Sequence, residues 1–529
     1  MKTNYILFIY ILLLLHISAS AGKNYYVSIG KGSDSFNGLT VTTPFKTLQK
    51  ASNLTLPGDT VNIMDGTYSS TTNTILNITR AGHDGQYITY RAMKVHKPKF
   101  FASGSVWNMV IMNASYIVLD GLELEGNNAN IKLTDAEAAR SEAKAGGTNW
   151  SYYAQFNTNG ITIGGNESLL PSHLIIRNCS IHDFPGSGIA GIKIDYLTIE
   201  NNKAYNNGWY MMYGGSGISV YHLWNGDDNA TAYKNFIRNN LCYNNRTNVK
   251  WIGSDDYSDG NGIIIDDNKN SQAGAPPGGA YKGRTLVENN ISFNNGGSGI
   301  HAYMSSNIDM VNNTAYNNGT KVGYPEIFAG DCNNVNLMNN IMYARTGGKI
   351  NDNWNNINVI YDYNLYFNGI PAKKGAHDVI ADPKFVNLSI DPTVADFHLK
   401  AVSPAINTGF NQIGAETDFD GIMRPQDGTV DKGAYEYAGP TNASLQGLTG
   451  KHHPNVYPNP VSGIFFVSNP TGNDQQNVEI YNFSGSLVYK AFAASKPVSE
   501  INISRLQKGI YLVKTVAGKE TDIQKIVKL

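Results

Sequence analysis

The sequence predicts an all-β chain: a right-handed parallel β-helix solenoid with an N-terminal helical cap, followed by a small C-terminal β-sandwich. Three observations carry that prediction. A decapeptide built on paired asparagines returns as "IENNKAYNNG" (199–208), "IRNNLCYNNR" (237–246), "VENNISFNNG" (287–296) and "MVNNTAYNNG" (310–319), with looser copies at 176–186 and 337–347. A second phrase recurs in step with it, as "GSGIAGIK" (186–193), "GSGISVYH" (215–222), "GNGIIIDD" (260–267) and "GSGIHAYM" (297–304). The chain is also rich in Gly, with 54 residues, and only 16% charged, which suits short stacked strands joined by tight turns. Asn178 to Asn201 and Asn289 to Asn312 are each 23 residues apart, a period too short for a propeller blade and without a leucine-rich signature.

From the N-terminus, Lys2, the apolar run after it and Ala19-Ser20-Ala21 read as a signal peptide over residues 1–21. Residues 22–440 form the solenoid. Its cap is expected at "PFKTLQKASNLT" (44–55), a helix with Phe45, Leu48, Ala51 and Leu54 on one face. In the repeats, Asn tolerates the left-handed turn conformation, and stacked amides hydrogen-bond along the axis, so asparagine ladders are structural. Cys179, Cys242 and Cys332 cannot all pair and read as core residues. Residues 441–454 read as a linker, and 455–529 as a module of alternating strands. A net charge of -1 and the lack of a basic stripe give no reason to expect nucleic acid, and a monomer is expected.

Stacking the Gly-led strands locates the chemistry. Counted from the Gly before each Ile, the first and third positions are Ile189, Ile218, Ile263, Ile300 and Gly191, Val220, Ile265, Ala302, which point inward. The outward positions and strand ends then gather Tyr221, His222, Asp266, Asp267, His301 and Tyr303 on one patch, with Lys193 a rung away. His222 and His301 are candidate bases because His titrates near neutrality. Lys193 would need a lowered pKa, and Tyr221 or Tyr303 is a candidate acid or base. Insertions at 221–235, 250–260 and 268–284 border the patch, as groove-building loops do. They bring Trp224, Trp251 and Tyr257 as sugar-stacking surfaces, Lys250, Lys282 and Arg284 as partners for anionic sugars, and Asp227, Asp228, Asp255 and Asp256 as oxygen ligands.

This pattern resembles the parallel β-helix polysaccharide lyases, the family-nine-like group in particular, on the entry segment "YYVSIGKGSDSFNG…PFKTLQKA" and the "DGNG" rung, over roughly residues 24–437. The resemblance implies β-elimination on a uronate-containing polysaccharide, and a calcium-binding acidic cluster. Calcium takes roughly six to eight oxygens, for which Asp255, Asp256, Asp259 and Asp267 are the candidates, with Asp266 beside them. The family's lysine-base position is Ile264 here, so no lysine base is carried over. Other chemistries stay open on the same fold. A glycoside hydrolase would pair carboxylates about 5–10 Å apart, Asp266 with Asp259 or Asp228. A uronate epimerase and a non-catalytic glycan-binding adhesin are further alternatives. The last 75 or so residues, through "YPNP" and "GIYLVK", resemble the C-terminal sorting domain of the type nine secretion system. That implies the secretion machinery as a partner and a secreted or cell-surface location.

Overall fold

The computed structural model describes residues 22–164 and 170–437 and, beyond them, 439, 456–457, 461, 463–468, 476–482, 486–493, 498–517 and 520–528. The expected signal peptide and the linker lie outside the described residues. The chain divides into two units, Met1–Tyr437 and Ala438–Leu529.

The first unit is a parallel β-helix. Its strands form three sheets of 11, 8 and 11 strands, and neighbours within each sheet come from successive coils. The eight-stranded sheet, which runs from Leu76–Ile78 to Ile327–Gly330, stacks the Gly-led phrases in the expected register. Ile189, Ile218, Ile263, Ile300 and Ile327 pair in sequence and are fully buried. The Gly before each Ile is required because the coils touch there. A Cβ on Gly188 would lie 2.6 Å from the Gly217 carbonyl oxygen, and one on Gly262 2.6 Å from that of Gly299.

The paired asparagines divide their work. The first of each pair (Asn201, Asn206, Asn239, Asn244, Asn289, Asn294, Asn312 and Asn317) turns the chain in the left-handed region, with φ between 52° and 57°. The second stacks inside. The amide Nδ2 of Asn202 donates to Asn240 Oδ1 at 3.1 Å, and the chain continues through Asn290, Asn313, Asn340 and Asn364 at 3.0 Å per step. A parallel ladder runs through Asn207, Asn245, Asn295 and Asn318. Each Oδ1 also accepts the previous rung's backbone N–H, and each Nδ2 also reaches a backbone carbonyl, as Asn240 does to Ile199 at 2.9 Å. Both ladders end on a carboxylate: Asn318 donates to Glu326 Oε2 at 2.6 Å, and the Asn364 N–H to Asp378 Oδ1 at 2.6 Å.

The cap is shorter than the sequence suggests. The helix spans Leu48–Ser52, with the Thr47 hydroxyl accepting the Lys50 N–H at 3.2 Å. Phe45, Leu48 and Ala51 are buried as expected, but Leu54 lies past the helix end and is exposed. Two helices that the sequence analysis did not anticipate, Leu133–Lys144 and Trp150–Ala154, form a side cluster with Phe156, Tyr210 and Met212. Their residues are mostly polar or alanine, so no apolar stripe announced them. Cys179, Cys242 and Cys332 are free and buried. In the second unit, antiparallel sheets of three and four strands enclose Phe465, Val467, Val478, Ile480, Val513 and Ile526.

Replacing Asn240 by Ala removes a rung and strands the donors of Asn202. The expected loss is about 1–3 kcal/mol, read as a lower denaturation midpoint at unchanged slope. Asn201→Gly, at an exposed left-handed turn, is expected to leave that midpoint nearly unchanged.

Candidate active site

The register of the eight-stranded sheet sets the site. Ile192, Tyr221, Asp266, Tyr303 and Gly330 form one outward column, and Ala190, Ser219, Ile264, His301 and Phe328 the column beside it. Both columns line a cleft of about 680 Å³. One wall is the 250–260 loop, which brings Trp251, Ser258 and Asp259, together with Tyr213 and Gly214 from the preceding coil. The other wall consists of Tyr324 and Pro325 and of Lys349, Asp352 and Trp354. Arg140, on the helix Leu133–Lys144, pins the first wall. It donates to the backbone oxygens of Lys250 at 3.1 Å, Trp251 at 3.0 Å and Ser254 at 2.6 Å. An inserted helix thereby positions a cleft residue from the outside.

Two carboxyls dominate the electrostatics. Burial, then the charges of Asp259 and Asp267, push Asp266 up to about 8. Its Oδ1 is buried without a hydrogen-bond partner, so the acid is held for something other than structure. Burial also raises Asp259, to about 6, against a hydrogen bond of 2.9 Å from the Ser258 hydroxyl. Gly214 makes room for it: a Cβ there would lie 2.4 Å from Asp259 Oδ2. Near pH 7 the pair therefore consists of a neutral Asp266 and a largely ionised Asp259, the split that separates a proton donor from its anionic partner.

The remaining sequence candidates divide sharply. Tyr221 and Tyr303 flank Asp266 on the rungs before and after it. Burial holds the Tyr221 phenol at about 12 and raises Tyr303 as well, so both stay protonated. His301 lines the cleft but is not the expected neutral-pH base. It is 4% exposed, stacked on Phe328 at 4.7 Å and hydrogen-bonded to the Ser298 hydroxyl, and burial lowers its pKa to about 3. It contributes a neutral imidazole.

His222, the other candidate base, is buried outside the cleft, its Nε2 2.8 Å from Asp267 Oδ2. Asp267 also accepts from the Ser271 N–H and hydroxyl and from the Gln272 N–H. The two close a turn, because the strand ends at Asp266 and the next residue rotates inward, with φ 40°. Lys193 sits at the equivalent turn and does not line the cleft. Trp224 faces another way, its indole donating to the Pro171 carbonyl at 3.2 Å. Arg284 lies in the first sheet and pairs with Asp309 at 2.6 Å. Lys250 is exposed and touches the site only through its backbone. Of the proposed sugar contacts, Trp251 alone reaches the cleft.

The expected calcium set is dispersed. Asp255 is held by Arg140 and Lys144, each at 2.8 Å, Asp256 is exposed, and Asp267 is saturated with protein donors. Only Asp259 remains, beside Asp266, so these residues do not fit a calcium cage. Apart from Tyr221 and Gln272, which line the cleft, the insertions 221–235 and 268–284 are engaged with each other and with Asp195: Asn225 donates to the Ala280 carbonyl at 3.0 Å, and Lys282 reaches Asp228 at 2.7 Å. Lys234, fully buried, meets Asp195 at 2.5 Å and Asp227 at 2.9 Å, and Tyr281 donates to Asp195 at 2.6 Å. Trp354, Tyr324, Lys349 and Asp352 were not anticipated, since they follow rungs with no copy of the Gly-led phrase.

The cleft thus joins an outward column of one sheet, which carries Asp266, to a loop that brings Asp259 and aromatic side chains. The chain belongs to the family described as Pel9A-like, right handed beta helix region, which it matches over residues 25–340, and residues 455–529 match the secretion system C-terminal sorting domain. An uncharacterised protein of Bacillus subtilis, YwoF, is 25% identical over 445 residues, covering 73% of this chain and 92% of its own length. Among solved structures, pectate lyase Pel9A is similar at 16% identity and a TM-score of 0.46, over 79% of this chain and 97% of that one. XylC, in its complex with xylose, is similar at 12% identity and a TM-score of 0.40, over 78% and 98%.

The raised Asp266 makes stability pH-dependent with a definite sign. Its proton is held more tightly in the folded chain, at about 8 against roughly 3.9 unfolded, so stability is lost as pH climbs between those values. Asp266→Asn is therefore expected to raise the melting midpoint over wild type by an increment that grows from pH 4 to 8 and then levels off, measured by paired thermal scans.

Proposed function

We propose that the protein is a secreted carbohydrate-active enzyme that cleaves glycosidic bonds, with Asp266 as proton donor and Asp259 as its anionic partner. The single observation behind this reading is that two acids, Asp266 and Asp259, both raised by burial, line one cleft walled by Trp251, Trp354, Tyr213 and Tyr324. Such a pair suits hydrolysis. Asp266 gives its proton to the leaving glycosidic oxygen, Asp259 faces the positive charge developing at the anomeric carbon, and water adds its hydroxyl to that carbon and gives up its remaining proton to the carboxyl pair, which restores the starting state. Tyr221 and Tyr303 hold the sugar against the Asp266 rung, and His301 offers a neutral hydrogen bond from the floor. The sorting tail supports export by the type nine machinery to the cell surface or medium.

A second reading, β-elimination on a uronate chain, is favoured by membership of the Pel9A-like family. It asks the same cleft to neutralise a substrate carboxylate. The cation on the lining is Lys349, whose ammonium is 3.7 Å from Asp352. Product chemistry separates the two readings: hydrolysis releases reducing ends without new ultraviolet absorbance, and elimination creates an absorbing unsaturated uronide.

Asp266→Asn and Asp259→Asn are each expected to lower kcat at least about 100-fold while leaving the fold intact by circular dichroism; near-normal turnover in either would remove the pair from the chemistry. In wild type, kcat/KM should rise as Asp259 ionises through about pH 6 and fall as Asp266 loses its proton through about pH 8. The Asp259→Asn variant should lose the acidic limb.

A further inference from the structure

The column that carries Asp266 has a gap that the chain fills from elsewhere. Next after Tyr303 comes Gly330, at the end of the strand Ile327–Gly330, which leaves its outward position without a side chain. Its backbone imposes no left-handed conformation, so glycine is not demanded by φ. What excludes a larger residue is Trp354: a Cβ on Gly330 would lie 2.7 Å from the indole Nε1 and 2.9 Å from Cε2. The indole thus occupies the vacant position of its rung and extends the row Tyr221, Asp266, Tyr303. It also meets the Tyr303 ring at 5.9 Å between centroids.

The segment that delivers Trp354 is fastened to the coil beneath. The Asp331 N–H donates to the Trp354 carbonyl at 3.0 Å, Asn355 reaches Asp331 Oδ1 at 2.7 Å, and Asn356 reaches the Ala329 carbonyl at 2.8 Å. Yet the indole is 45% exposed and faces the cleft. A large, rigidly held, half-bare aromatic on a cleft wall is a surface built to be covered. The charge around it selects what covers it. Asp259 and Asp352 line the cleft beside the neutral Asp266 and against Lys349, itself beside Asp352, while Arg140 and Lys144 are tied to Asp255, and Lys321 lies over the Tyr257 ring at 4.0 Å. An anionic ligand would meet carboxylates, whereas an uncharged ring with an apolar face meets the indole.

We propose that Trp354, seated in the gap left by Gly330, is a stacking platform for a neutral pyranose residue, two rungs or about 10 Å along the solenoid from Asp266. The assignment rests on reading the cleft as a glycan-cleaving site, and it adds a subsite and a substrate class to that reading.

The test measures binding apart from cleavage. In full-length Asp266→Asn protein, calorimetric titration with cellohexaose, xylohexaose and mannohexaose, and with hexagalacturonate as the anionic comparator, is expected to show at least one neutral hexasaccharide bound more tightly than the uronate. Adding Trp354→Ala should weaken that ligand about tenfold, with Trp354→Phe recovering most of the loss. Adding Gly330→Ala should weaken it comparably although the tryptophan is still present, since the new Cβ unseats the indole. Unchanged affinity in the Trp354→Ala protein, no binding of any neutral probe, or tightest binding of hexagalacturonate would overturn the proposal. Trp354-dependent binding in a protein whose wild type cleaves no glycan would uphold the subsite and remove the cleavage reading instead.

Discussion

From Asn202 to Asn364 the coils of this solenoid place polar backbone and side-chain groups beside an apolar interior, and the stacked asparagine amides are what make that possible. An amide offers two donors and an acceptor, and here each inner asparagine uses them on the next amide, on a backbone carbonyl and on a backbone N–H of the coil before. A buried polar group left unpaired is costly, while a connected network strengthens itself in a low-dielectric interior. The ladders therefore do more than tolerate burial. They lock adjacent coils into one register, because a slip of a single residue would leave every amide unpaired at once.

That register is the origin of the site. Asp266 is flanked by Tyr221 and Tyr303 only because Ile263 sits between Ile218 and Ile300 in the core. The inward side of each strand fixes spacing, and the outward side inherits it as a straight row of functional groups. On that row the Asp266 carboxyl is set in the cleft with its Oδ1 finding no donor in the protein. Asp259 comes from a loop instead, and its position depends on the glycine at 214 and on the turn at its own φ of 65°. One acid is set by the lattice of coils, its partner by a loop folded against that lattice.

The division between lattice and loop also marks how much could be read from the sequence. Repeats announce themselves, so the stacked parallel coil, the inward isoleucines, the structural asparagines and the column through Tyr221, Asp266 and Tyr303 were all legible in the spacing of short phrases. Residues one position past the strand were not. Lys193, His222 and Asp267 follow the alternation on paper, but the chain turns left-handed there and swings His222 and Asp267 into a buried pair. Loop residues were legible only as a composition. Asp255 looks like an oxygen ligand until Arg140, more than a hundred positions earlier, is found beside it. Trp354 gave no signal at all, because its meaning depends on an empty place in another coil. The inserted helices were equally silent, being rich in alanine and charge.

The ladders have a direction. One Nδ2 hydrogen of each inner asparagine points to the amide of the next coil while the other turns back to a carbonyl of the coil before, so the amide-to-amide column is a one-way relay. Glu326 and Asp378 stand at the two termini, where a carboxyl oxygen accepts from the last asparagine and no further amide among the described residues continues the column. Buried Glu326, raised to about 8, completes its column without inviting another step. The number of coils is thus written into the chain as a pair of full stops, and lengthening the solenoid at this end would require replacing an acid by an amide before any further turn could be accepted.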